Sequence, residues 1–227
     1  MMLTMRSLRR TISLLAPALA IASAVLVVGV AYGSAALAAG FPPWLVILVA
    51  VLVLSASSEM LFVSVIAAGG QPWIAVVAAL LMNGRNAVYG FSASSFLPRQ
   101  RVPRLLLAHL ANDESVAFAL AQPQRALRLR AFRVVGVALL IAWPLGAAIG
   151  VLVGYLAPDS SRLGLDAAFP AIFVAILLGT STRSAVGPAV AGATIAVAAT
   201  PFVAAGAAPI LGLAGLLALV RMRGHRA

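Results

Sequence analysis

Apolar residues run along this chain in long blocks, separated by short polar or turn-forming interruptions. Eight blocks can be drawn, at approximately 12–39, 43–69, 72–97, 105–121, 131–157, 166–181, 184–202 and 207–221. Several match the roughly 20 residues that a helix needs to cross the hydrocarbon core of a bilayer. The punctuation is brief: Gly40-Phe41-Pro42-Pro43, Gly69-Gly70-Gln71-Pro72, Pro158-Asp159-Ser160-Ser161 and Gly206. No low-complexity linker divides the blocks. The pattern predicts an all-α, polytopic membrane bundle forming one domain over 1–227, with tails at 1–11 and 221–227.

Composition supports a membrane class. Hydrophobic residues make up 63% of the 227 positions and charged residues 9%. An average soluble domain is about 45–50% apolar and about 25% charged. The net charge of +11 comes from arginine alone, since lysine is absent. Most arginines lie between apolar blocks or at the termini: Arg6, Arg9, Arg10; Arg99, Arg101, Arg104; Arg125, Arg128, Arg130, Arg133; Arg221, Arg223, Arg226. That placement is the positive-inside pattern of short cytoplasmic loops. It argues against nucleic acid as a partner, and no folded domain is left to carry one. Cysteine is absent, which excludes disulfides, thiol catalysis and thiolate metal sites. Met1–Arg10 is basic, Ile12–Val30 is apolar and Ala36-Leu37-Ala38-Ala39 resembles a cleavage site. The apolar run exceeds the about 7–15 residues of a signal peptide, so it reads as a retained first span.

Charge also bears on topology. With the N-terminus in the cytoplasm, eight full crossings would put Arg99, Arg101 and Arg104 outside. If the second and fourth blocks are broken or re-entrant, every large arginine cluster falls inside. Those same two blocks carry Glu59 and Asp113-Glu114. Irregular backbone at membrane depth survives only where protein or a wet cavity covers it. The expectation is therefore about six full spans plus two broken or re-entrant segments, with both termini cytoplasmic. Blocks one to three and five to seven share a plan: an arginine cluster, a Gly-rich helix, then an apolar run ending at Ser55–Ser58 or Thr180-Ser181-Thr182. This suggests a duplicated unit.

The chain has five carboxylates, and two sit side by side in Asn112-Asp113-Glu114-Ser115. An ionised side chain at a bilayer centre costs roughly 2.5–3.5 kcal/mol on insertion scales, so such residues are usually functional. Adjacent helical residues point about 100° apart, so the two acids should face different partners. One would hold a substrate ammonium while the other takes a proton or an arginine. Asn112 is placed to cap a half-helix beginning here. The competing reading is an interfacial turn with both acids in water. Glu59 follows Ser55, Ser57 and Ser58, whose hydroxyls can satisfy backbone freed by a break. Burial penalises a charged carboxylate, which suits Glu59 to carrying a proton; the alternative is a neutral packing residue.

Asn83-Gly84-Arg85-Asn86 interrupts the third block. Arg85 lies well inside an apolar run and calls for an acidic partner, with Glu59, Asp113 and Glu114 as candidates. Alternatively Asn83-Gly84 is a simple turn and Arg85 snorkels to the interface. Tyr89 and Ser92 follow with hydroxyls. Gly146, Gly150 and Gly154 recur every four residues after Trp143-Pro144, a ridge that lets helices approach closely. Asp166 reads as an N-cap or first-turn residue more than as a substrate ligand.

Phosphate-loop, dinucleotide and His-Glu-x-x-His motifs are absent. Ser92 in Gly90-Phe91-Ser92-Ala93, with His109, is a faint sign of an intramembrane hydrolase. No catalytic residue, metal site or cofactor is expected.

These motifs resemble the AzlC family, the large subunit of branched-chain amino acid exporters. Gly29-Val30-Ala31-Tyr32-Gly33 is similar to that family's first-helix motif. Ser57-Ser58-Glu59-Met60 falls where the family has a small-residue pair followed by Gln and an apolar residue. Asn83-Gly84-Arg85-Asn86 with Tyr89-Gly90 is similar to its Asn-x-Arg-His followed by an aromatic and Gly. Asn112-Asp113-Glu114-Ser115 resembles its Thr-Asp-Glu signature, and Gly164-Leu165-Asp166-Ala167-Ala168-Phe169 its Gly-Leu-Asp stretch. Two departures stand out: Glu59 replaces the usual Gln, and Asn86 the usual His. The resemblance implies export of branched-chain and similar apolar amino acids with a small hydrophobic AzlD-type partner.

The expected function is thus a proton-coupled secondary exporter of neutral amino acids in the cell membrane. Its candidate substrate-binding or proton-coupling residues are Ser58, Glu59, Asn83, Arg85, Asn112, Asp113 and Glu114. Half-helix N-termini near Ser58 or Asn112 would face the substrate carboxylate. A non-transporting scaffold or regulatory subunit is the alternative class, and a hydrolase the third.

Overall fold

The computed structural model of the chain describes residues 2–156, 183–203, 211, 212 and 214. The expectations for Asp166, the 166–181 block, most of 207–221 and the tail at 221–227 lie outside the described residues. The described elements are all α-helical. In chain order they are α1 Met2–Ala38, α2 Pro43–Val53, α3 Ala56–Ala67, α4 Pro72–Asn83, α5 Arg85–Ala93, α6 Arg101–Ala108, α7 Asp113–Leu120, α8 Arg125–Leu156 and α9 Arg183–Ala199. Helix α1 therefore extends back through the residues expected to be a tail. Among the described residues, three stretches are long and apolar enough to cross a membrane: Leu14–Ala38, Pro72–Ala93 and Arg125–Leu156.

The chain forms two compact units, one from Met1–Ala56 and Asn83–Ser160, the other from Ser57–Met82 and Ser161–Ala227. In the second unit, Val65, Ile74 and Ala75 form a small buried cluster that joins α3 to α4, with Leu61, Phe62 and Ile66 around it. Gly69, at φ 78°, supplies the left-handed residue that ends α3 before Pro72 opens α4.

The first unit is organised by α1 and α8. Ala18 packs with Val135 and Leu139, Gly29 approaches Trp143 and Gly146, Gly150 meets Val30, and Gly154 meets Leu37. Position numbers rise together along both helices, so the two run parallel. Glycines make the approach possible. A Cβ on Gly29 would sit 2.9 Å from the Trp143 carbonyl oxygen, and one on Gly33 or Gly150 would overlap backbone of Ala147 or Val30. The ridge at Gly146, Gly150 and Gly154 thus meets a second one at Gly29 and Gly33. Tyr32 stacks on Trp143 beside this seam, with ring centroids 5.2 Å apart.

The segment from Tyr89 to Leu120 packs on the first part of α8. Phe96 meets Phe132 edge-on at 5.5 Å, and Leu97, Leu110, Val116 and Ala119 complete that cluster. Phe118 reaches Val135 and Leu139. The α8 residues in these clusters fall between Leu129 and Leu140. Since Phe96, Leu97 and Leu107 flank Arg99, Arg101 and Arg104, that loop is bracketed at the α8 end bearing Arg125–Arg133. The exit from the segment is tied to the same end by Arg128 Nε, which donates to the Gln122 carbonyl at 2.8 Å.

Candidate functional site

The second and fourth apolar blocks are both broken. In the second, α2 stops at Val53 and Leu54 takes the left-handed conformation, φ 50° and ψ 43°. A left-handed conformation costs an L-residue other than glycine roughly 1–2 kcal/mol, so the surroundings must hold this bend. Ser55 behind it is buried. In the fourth block, α6 ends at Ala108 and α7 starts at Asp113. Each has 8 residues, a length of roughly 12 Å, well short of a hydrocarbon core of about 30 Å.

Both breaks are held by specific bonds. Asn112 Oδ1 accepts from the Ser115 backbone N–H at 2.8 Å, and Ser115 Oγ accepts from the Asn112 N–H at 3.2 Å. This reciprocal box closes the start of α7. Ser115 Oγ also donates to the Leu110 carbonyl at 2.6 Å, which pins the turn before the helix. His109 Nε2 lies 2.9 Å from the Val51 carbonyl oxygen, one of the last carbonyls of α2. A carbonyl only accepts, so Nε2 carries the proton in this bond. The two breaks are therefore bonded to one another.

The charged groups assemble beside this junction. Arg85 Nη1 lies 3.7 Å from Asp113 Oδ2, and both side chains are a little over one-third exposed, at 37% and 39%. Of the three candidate partners, Asp113 is thus one that Arg85 pairs with. Glu114 is the next residue in the first turn of α7 and is partly buried. Tyr89 packs against the cluster of Phe96, Leu97 and Phe132 nearby.

Around Arg85 the third block is interrupted at one residue. Gly84, between α4 and α5, keeps right-handed helical backbone, φ −53° and ψ −28°. Asn86 Nδ2 donates to Asn83 Oδ1 at 2.6 Å across it. In the other unit, Ser58 and Glu59 occupy the first turn of α3 and are buried, Glu59 at 2% exposure. An acid there is favourably placed at the positive end of the helix dipole.

The sequence reading assigned His109 no structural part beyond the hydrolase possibility. Ser92 Oγ donates to the Val88 carbonyl and His109 engages Val51, so neither of these bonds joins Ser92 to His109. Ser115 was also missed as a cap partner. Its signal was available: Asn112 followed three residues later by a hydroxyl residue is a capping spacing. The Gly29/Gly33 pairing with α8 had a signal as well, the same four-residue spacing on two helices.

Comparison with known families matches residues 20–156 to the model described as AzlC protein. Neither the curated proteins nor the solved structures offer a match. The matched stretch runs from inside α1 to the end of α8, and so contains the glycine seam, both helix breaks and the Arg85–Asp113 pair. This chain belongs to the AzlC family.

Proposed function

We propose that this chain is the transporting subunit of an exporter of branched-chain and similar neutral amino acids. It works in the cell membrane, is driven by the proton gradient and is assisted by a small hydrophobic AzlD-type subunit. Family membership supports the transport class. The observation that carries the site is the Arg85–Asp113 pair at 3.7 Å.

That separation is longer than the about 2.7–2.9 Å of a tight charge-assisted hydrogen bond. Both groups also remain partly exposed. An amino acid zwitterion can enter such a pair with its charges matched, carboxylate to Arg85 and ammonium to Asp113. Charge balance is kept whether the site is empty or filled, so little unpaired charge is exposed to low dielectric. Glu114, next to Asp113 in the first turn of α7, is the proposed proton acceptor, and Glu59 a second one. Asn112 caps α7, Asn83 holds the Asn86 side chain, and Ser58 stands buried in the first turn of α3. Apolar walls take the substrate side chain and discriminate weakly, since one methylene is worth about 1–3 kcal/mol.

In the same reading the chain makes six full crossings with two re-entrant segments, and the arginine clusters and both termini face the cytoplasm. The test is efflux of labelled valine, leucine, isoleucine and methionine from cells expressing the chain, with and without a small hydrophobic partner. Accelerated efflux that collapses when the proton gradient is dissipated is the expected result. Unchanged efflux in every arm, with the protein inserted, would refute the transport reading.

A further inference from the structure

Helices α1 and α8 leave an apolar groove along their outer face, with a volume of about 700 Å³. Ala22, Ala138 and Ala142 contribute small side chains, with Ala22 and Ala142 buried. Leu19 and Ile141 stand at 63% and 61% exposure beside them. The groove's hydroxyl, on Ser23, is consumed by its own helix, donating to the Ala20 carbonyl at 2.9 Å. The interior therefore offers no free side-chain donor to a polar ligand. The charged residue in the lining is Arg133, at one end. Among the described residues no carboxylate pairs with it.

Length and charge together identify the occupant. The lining runs from Leu15 to Leu26 on α1 and from Arg133 to Leu145 on α8. At about 1.5 Å per residue these stretches span roughly 16–18 Å, about half of a hydrocarbon core near 30 Å. A partner's transmembrane helix needs a track through the whole core. A lipid needs one leaflet's depth, an apolar channel for an acyl chain, and a cation at the headgroup end. Arg133 supplies that cation, and Arg125, Arg128 and Arg130 precede it on the same helix. We propose that this groove is a binding site for one anionic phospholipid, with its acyl chain along Ala22, Ala138 and Ala142 and its phosphate on Arg133.

The site is separate from the Arg85–Asp113 pair and does not depend on the proposed transport function. A photoactivatable-acyl phosphatidylglycerol is applied to the unaltered full-length chain in detergent. Cross-links are expected within 15–26 and 133–145, competed by dioleoyl phosphatidylglycerol and not by dioleoyl phosphatidylcholine. Native mass spectrometry of the same chain should show tighter binding of the anionic lipid, with Arg133→Gln weakening it about fivefold for one lost surface charge. Ala138→Trp should remove that bound lipid while leaving the melting temperature nearly unchanged. Cross-links scattered over the whole apolar surface, or equal competition by both lipids, would overturn the proposal. So would an Ala138→Trp variant that keeps the lipid but releases a co-purifying small membrane subunit, since the groove would then hold a protein helix. The cross-linking arm uses no variant, so the proposal stays testable if Ala138→Trp fails to fold.

Discussion

His109 Nε2 lies 2.9 Å from the carbonyl oxygen of Val51, across 58 residues of chain. Val51 stands three residues before the left-handed Leu54, and His109 three before the cap Asn112. One hydrogen bond thus links the two places where apolar segments are interrupted. The end of a helix leaves carbonyls without partners. His109 supplies a donor there, and in doing so sets the distance between the breaks.

Replacing His109 by Ala should loosen both breaks together. The cost is about 0.5–1.5 kcal/mol for one hydrogen bond, more if the carbonyl is left dry. The native chain has no cysteine, so single cysteines placed at Leu54 and Ala111 report cleanly. Both should react faster with a small thiol reagent in the His109→Ala background. A rise at Ala111 with none at Leu54 would mean that the bond does not couple them.

Asp113→Asn and Arg85→Gln should each abolish efflux of labelled leucine without preventing insertion. Each substitution removes one of the two charges that the substrate zwitterion would meet. The double exchange Arg85→Asp with Asp113→Arg should insert better than either single exchange. Normal efflux by both single variants would remove these residues from the site.

Glycine substitutions should separate seam from surface. Gly33→Val places branched carbons against Ala147 backbone, which cannot move aside. Overpacking of this kind costs about 1–3 kcal/mol or more and should lower the melting temperature visibly. Gly90 has open space around it, and Gly90→Ala should be neutral or gain up to about 1 kcal/mol of helix propensity. Equal losses in the two variants would contradict the close α1–α8 approach.

Topology gives a fourth expectation. Single cysteines at Arg101 and Arg125 should be labelled by an impermeant thiol reagent from the same side of the membrane. Phe96, Leu97 and Leu107 hold the Arg101 loop near the first turns of α8, so opposite labelling would rule out the re-entrant reading of 105–121.

Much of the fold was legible because its causes are local. Long apolar runs declare membrane helices, since an unpaired backbone group in lipid is too costly for any other spanning element built from them. The breaks were legible through two conflicts in the sequence: arginines that belonged on one side, and carboxylates inside apolar segments. The glycines of α8 declared a close approach, but not what approaches. Asn112 declared a cap by its position before the acids. Glu59, Asp113 and Glu114 were visible as candidates from their rarity alone.

What the sequence alone determined is therefore the helical class of the chain and the segments that break, and it named the residues to test. Tertiary structure decided the pairings. It joined Arg85 to Asp113, set the Gly29/Gly33 ridge against Ala147 and Gly150, and gave His109 the Val51 carbonyl. Each pairing depends on the relative placement of helices far apart in sequence. Periodicity and composition describe one helix at a time, whereas an ion pair or hydrogen bond depends on ångström-scale distances between groups that only packing brings together.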